Sequence, residues 1–250
     1  MKVRWVIASC TLSLAGLAAA GSTPVNGKTL EAMPAKLETK FALSAVPPAL
    51  RERASVYLLD PNKGYSLSKQ GTSGVSCIVQ RMEWEMADYR NDIYYPVCYD
   101  AAGTRTYLKS IMDAAELRAQ GMSPAALKVE MQKRFRDKTY PVPEKFGVSY
   151  MVGPLMRTVG PPDNKVHTMA MPHLMFYAPN VTNEDIGALP DLNDHSTLMY
   201  PFMDQHTASV GEESYIIQLM GETEKAKIVA AEKPLLDELC AYRDILCLHH

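Results

Sequence analysis

The residues best suited to chemistry fall in one nine-residue run, His167-Thr168-Met169-Ala170-Met171-Pro172-His173-Leu174-Met175. Histidine or methionine occupies every second position. Side chains of an extended segment alternate between faces, so His167, Met169, Met171, His173 and Met175 are expected on one side of a strand, same-side neighbours about 6.6 Å apart. Thioether and imidazole are soft ligands and together suit Cu(I). Met151, Met156, Met199 and Met203 lie in the surrounding segments. Ordinary packing explains the same residues. Methionine fills irregular gaps in cores, and Pro172 confines such a strand to an edge or splits it.

Two other groupings have chemical potential. Asp191, Asp194, His195, Asp204 and His206 combine carboxylates with imidazoles, a donor set for Zn²⁺ and hydrolytic chemistry, but their spacing matches no HExxH-type motif. Cys77 or Cys98 with His173 as base would make a nucleophilic pair, provided the thiol is reduced. The sequence contains no G-x-S-x-G elbow, Walker loop or G-x-G-x-x-G fingerprint, so serine-hydrolase, nucleotide and dinucleotide readings lose support.

These residues need a frame. Ala49 to Ala54 reads as a short helix after Pro47-Pro48. Strand signals follow at Val56-Leu59, Tyr65-Ser68 and Val75-Arg81, separated by Asp60-Pro61-Asn62-Lys63-Gly64 and Gly71-Thr72-Ser73-Gly74. Proline and glycine at such offsets preset turns, giving an antiparallel meander. Two helices are expected next. Thr106 to Gln120 has Leu108, Met112, Ala115 and Ala119 on one face; a second starts at Ser123-Pro124, with Leu127, Met131 and Phe135 at i, i+4, i+8. Lys133, Arg134, Arg136 and Lys138 at its end suit the helix dipole. Further strands fall at Gly147-Val152, Leu174-Tyr177 and Tyr215-Met220. From Glu222 onward the pattern is helical, interrupted near Pro234, with Leu235, Leu239, Tyr242 and Leu246 in a stripe that packs on the body or on a second copy.

The amino terminus reads as an address. Lys2 and Arg4 precede an apolar stretch ending at Ala18-Ala19-Ala20. A charged start, a short apolar centre and small residues at the end describe a secretory signal, too short for a comfortable membrane span. Cleavage near Ala20 would deliver the chain to a periplasmic or extracellular space. Residues 21–43 are small, polar and without evident periodicity, and read as a mobile leader. Beyond Cys10, the remaining cysteines are Cys77, Cys98, Cys240 and Cys247, an even number compatible with disulfides in an oxidising compartment. Cys77 and Cys98 lie in strands joined by a short excursion and are the expected pair. Cys240 and Cys247 would sit about 10.5 Å apart along one helix, beyond bridging range, so their state stays open.

The whole chain has 250 residues, 47% hydrophobic and 22% charged, with a formal charge of -2. Disordered, collagenous and coiled-coil classes are excluded, and nothing favours a nucleic-acid partner.

The segments Gly71-Thr72-Ser73-Gly74-Val75-Ser76-Cys77-Ile78-Val79-Gln80-Arg81, Pro96-Val97-Cys98-Tyr99-Asp100, Gly147-Val148-Ser149-Tyr150-Met151 and Pro172-His173-Leu174-Met175-Phe176-Tyr177-Ala178-Pro179, in this order, resemble a family of uncharacterised exported bacterial proteins. The resemblance spans roughly Ser44 to Met220. It implies export and a single domain, and no mechanism. The expectation is therefore one α+β domain over 44–220, with a largely antiparallel sheet, two central helices and a C-terminal helical segment at 221–250. The function expected is non-enzymatic binding or structural support without a cofactor. Periplasmic Cu(I) handling through the histidine–methionine strand is the alternative, and a hydrolase-type enzyme of unknown reaction comes third.

Overall fold

The computed structural model describes residues 30–160, 163, 165–203 and 210–248, and the proposed signal at 1–20 lies outside them. After helices α1 (Ala35–Ser44) and α2 (Pro48–Arg51) come strands β1 (Ser55–Asp60), β2 (Gly64–Lys69), β3 (Ser76–Gln80) and β4 (Tyr95–Tyr99). A helical stretch follows: α3 (Ala101–Gly103), a π-turn over Thr104–Leu108, α4 (Lys109–Ala119) and α5 (Pro124–Arg136). Strands β5 (Val148–Met151), β6 (Met156–Gly160), β7 (Lys165–Met169), β8 (His173–Tyr177), β9 (Phe202–Met203) and β10 (Tyr215–Leu219) complete the β-structure. Helices α6 (Glu222–Ala231) and α7 (Lys233–Tyr242) close the chain. The expected α+β class is observed.

Eight strands form one sheet in the order β2-β1-β3-β4-β5-β8-β10-β9, while β6 and β7 pair separately. β1 and β3 run parallel, and the other pairings among the described residues are antiparallel. The β6–β7 ribbon joins the main body through a bridge between Tyr94 and Arg157.

The middle of this sheet is covered on both faces, so every residue of β3 is buried. Alternation divides them. Cys77 and Val79, with Cys98 of β4, pack against Phe41, Ala42, Leu239 and Leu246. Ile78, Val97 and Tyr99 point to the opposite core, with Tyr107, Leu108 and Ile111. The two central helices, α4 and α5, build a third cluster with Trp84 and Tyr140. The start of α5 is as its sequence predicts: Ser123 caps it by accepting from the Ala126 amide, and Pro124 opens the first turn.

Three expectations change. The leader read over 21–43 is not unstructured throughout: Ala35–Ser44 is helix α1, and Leu37, Phe41 and Ala42 are buried in the first core. The i, i+4 pair Leu37–Phe41 carries that helical signal. The antiparallel meander read over the first three strands is not formed: β3 passes β2, the edge strand, and pairs parallel with β1. The C-terminal stripe takes one of its two expected places, with α7 packed on the body and Leu235 and Leu239 buried beside α1. Finally, Cys240 and Cys247 do not share a helix. α7 ends at Tyr242, Arg243 is extended, and a short 3₁₀ turn at Asp244–Leu246 folds the chain back. Their Cα atoms come within 4.3 Å and the pair is bridged. Cys77 and Cys98, directly opposite one another on β3 and β4, form the expected disulfide.

Candidate functional site

A cavity of about 270 Å³ opens on the face of the sheet opposite the terminal helices. Its wall follows strand alternation. β4 contributes Tyr95, Val97 and Tyr99; β8 contributes His173 and Met175; β10 contributes Tyr215 and Ile217; β5 ends in Met151. The β6 edge adds Met156 and Thr158. The short turn Trp84–Met86, the loop residue Leu192 and Leu198 of the 3₁₀ turn His195–Met199 complete the enclosure. Register explains the convergence. Met151 lies opposite His173 across β5–β8, and Met175 lies opposite Ile217 across β8–β10, so side chains from three adjacent strands form neighbouring rows.

The polar groups of the wall are few and placed. Glu213 is 5% exposed, and the Ser110 hydroxyl of α4 donates to its Oε1 at 2.7 Å. Burial pushes the Glu213 carboxyl up to about 7; the Ser110 bond opposes that rise and the neighbouring charge of Glu212 adds to it. Burial likewise raises the Tyr99 and Tyr215 hydroxyls far above the usual tyrosine range. Behind them the Tyr107 ring packs, tilted, at 4.7 Å from the rings of both Tyr177 and Tyr215. Tyr177 is held by Asp100 at 3.1 Å, and Asp100 also caps α3 through the Ala102 and Gly103 amides. A Cβ at Gly103 would lie 2.0 Å from the Tyr177 hydroxyl, so the close packing of this aromatic wall requires glycine there. On the opposite rim the Thr158 hydroxyl donates to Glu83.

The histidine–methionine run does not form a single strand. His167 and Met169 belong to β7, His173 and Met175 to β8, and the chain breaks between them at Ala170–Pro172, where proline cannot donate to a ladder. Met171, His173 and Met175 line the cavity. His167 instead pairs with Asp163 at 2.6 Å, and Met169 sits opposite Met156 in the ribbon. His173 Nδ1 lies 2.7 Å from the Met171 carbonyl, which fixes the ring. Thioethers of Met86, Met151, Met156 and Met203 join Met171 and Met175 around the same space. That set, with His173, is the one that could hold a soft ion.

The other groupings fare differently. Asp194 accepts from the Ser196 amide and Asp191 from the Asn193 amide, so both carboxylates shape turns. His195 lies 3.9 Å from Glu222, while Asp204 and His206 lie outside the described residues. Among the described residues no group of three or more His, Cys, Asp or Glu is placed to hold a metal. The Cys–His nucleophile is overturned: Cys77 and Cys98 are bonded to each other and pack in the first core, on the sheet face away from the cavity that His173 lines.

Sequence reasoning missed Glu213, Ser110, Trp84 and the tyrosines. Alternation in Tyr95-Pro96-Val97-Cys98-Tyr99 and Tyr215-Ile216-Ile217 could have grouped the strand residues on one face. No local pattern marks Glu213. No family model, curated protein or solved structure matches the chain. No helix among the described residues is long and apolar enough to cross a membrane.

Proposed function

We propose that this is an exported, non-enzymatic binding protein that holds a small, largely apolar molecule in the cavity. The carrying observation is the enclosure itself: a concave space of about 270 Å³, mostly apolar, walled by alternate residues of several strands, with a few fixed polar groups. That is the ordinary anatomy of a small-ligand site, just below the usual size range. The charged, apolar and small-residue regions of the first twenty residues, together with two disulfides, support export. The test is saturable binding of the neutral fluorophore N-phenyl-1-naphthylamine. Met175→Trp, which fills the cavity from β8, should abolish binding without unfolding the protein, and equal binding by that variant would place the probe elsewhere.

A second reading has its own observation. Six methionines and His173 line one space, a thioether-rich set suited to Cu(I). It requires stoichiometric Cu(I) uptake under anaerobic competition, lost in Met171→Leu/His173→Ala/Met175→Leu.

A further inference from the structure

The charge of the ligand follows from the same wall, and this inference rests on the binding reading above. Among the described residues that line the cavity there is no lysine or arginine, whereas Glu83, Glu85 and Glu213 all contribute to it. Trp84, Tyr95, Tyr99 and Tyr215 supply aromatic surface. Ring faces attract organic cations, and quaternary ammonium groups most characteristically. Thioether side chains adapt around an apolar body.

Glu213 fixes where a charge would go. Its carboxyl is buried and held by Ser110, which is itself fully buried, so it is a preorganised group and not a mobile surface acid. Surroundings of low polarity strengthen its attraction for an opposite charge. An anion brought to the same place would meet a like charge with little water to screen it. Burial disfavours the ionised form, pushing the carboxyl to about 7, and an arriving cation supplies the counter-charge that burial withholds.

We propose that the cavity selects an amphiphilic organic monocation, an alkylamine or quaternary ammonium compound, with its head group against Glu213 and its apolar body among the methionines.

The experiment is calorimetric titration of the protein at pH 8 with octyltrimethylammonium, 1-octanol and octyl sulfate, all below their micellar range. The ammonium compound should bind about tenfold more tightly than octanol, a step of one decade in Kd, with octyl sulfate weakest. Glu213→Gln should erase that preference. Equal affinities, or a preference for the sulfate, overturn the cation inference and leave the cavity reading standing. Binding of none of the three, octanol included, overturns the cavity reading itself. The series on the unsubstituted protein decides both points even if Glu213→Gln does not fold, and a folded Glu213→Gln protein that keeps the preference overturns the placement of the head group.

Discussion

Glu38 and Glu213 are both acids kept from water, one on each side of the sheet. Glu38 of α1 is 1% exposed and accepts from the Leu59 amide at 3.0 Å. Burial pushes its carboxyl up to about 7, against the opposing pull of the Leu59 bond and of nearby Arg81. An unfolded chain releases that proton near 4.5, so between these values the folded protein binds more protons than the unfolded one. Stability from each group is therefore complete below about pH 4.5 and declines as pH rises through 7, by up to about 3 kcal/mol. Glu38→Gln keeps an oxygen for the Leu59 amide and removes the charge. Its melting temperature should exceed that of the parent protein at pH 8 and match it near pH 4.5. A difference that does not change with pH would show that Glu38 is not a buried, proton-holding acid. Nothing in the sequence around Glu38 distinguishes it from a solvated helix glutamate, because its burial depends on β1, which packs over it from elsewhere in the chain.

Elements with strong local grammar were legible, and those fixed by distant partners were not. The three strands β1–β3 and the Ser123-Pro124 start of α5 follow from turn and cap chemistry within a few residues, but their order does not: β3 passes β2 and pairs parallel with β1, a choice of neighbour that no turn residue encodes. Helix α1 has only the Leu37–Phe41 repeat to announce it, and its stability comes from the sheet and from α7. The Cys240–Cys247 bridge was hidden because a helical pattern was carried past Tyr242, where the chain turns. Both bridges restrict the unfolded chain in proportion to the logarithm of the loop they close. They span 21 and 7 residues, which corresponds to about 3.3 and about 2.4 kcal/mol. Denaturant unfolding should thus show a larger loss for Cys77→Ala/Cys98→Ala than for Cys240→Ala/Cys247→Ala. The reverse order would mean that the C-terminal closure contributes more to the fold than loop length accounts for.

The cavity is a property of the assembled molecule. Its wall draws on residues from Gln80 to Ile217, one to four from each of β3–β6 and β8–β10, together with a turn after β3 and loops before β9. Only Met171, His173 and Met175 of the run singled out by spacing reach it. Period-two alternation places side chains on a face but does not say which strands become neighbours, and Pro172 divides the run between two sheets. Trp84 offers the most direct view of this space, because the sequence holds only one other tryptophan, Trp5. In a Trp5→Phe protein, all tryptophan emission comes from a ring in the cavity wall. Titration with 1-octanol should shift the Trp84 emission saturably, with one equivalent bound. Calorimetric binding that leaves the Trp84 emission unchanged, or no binding at all, would contradict a ligand site in this cavity.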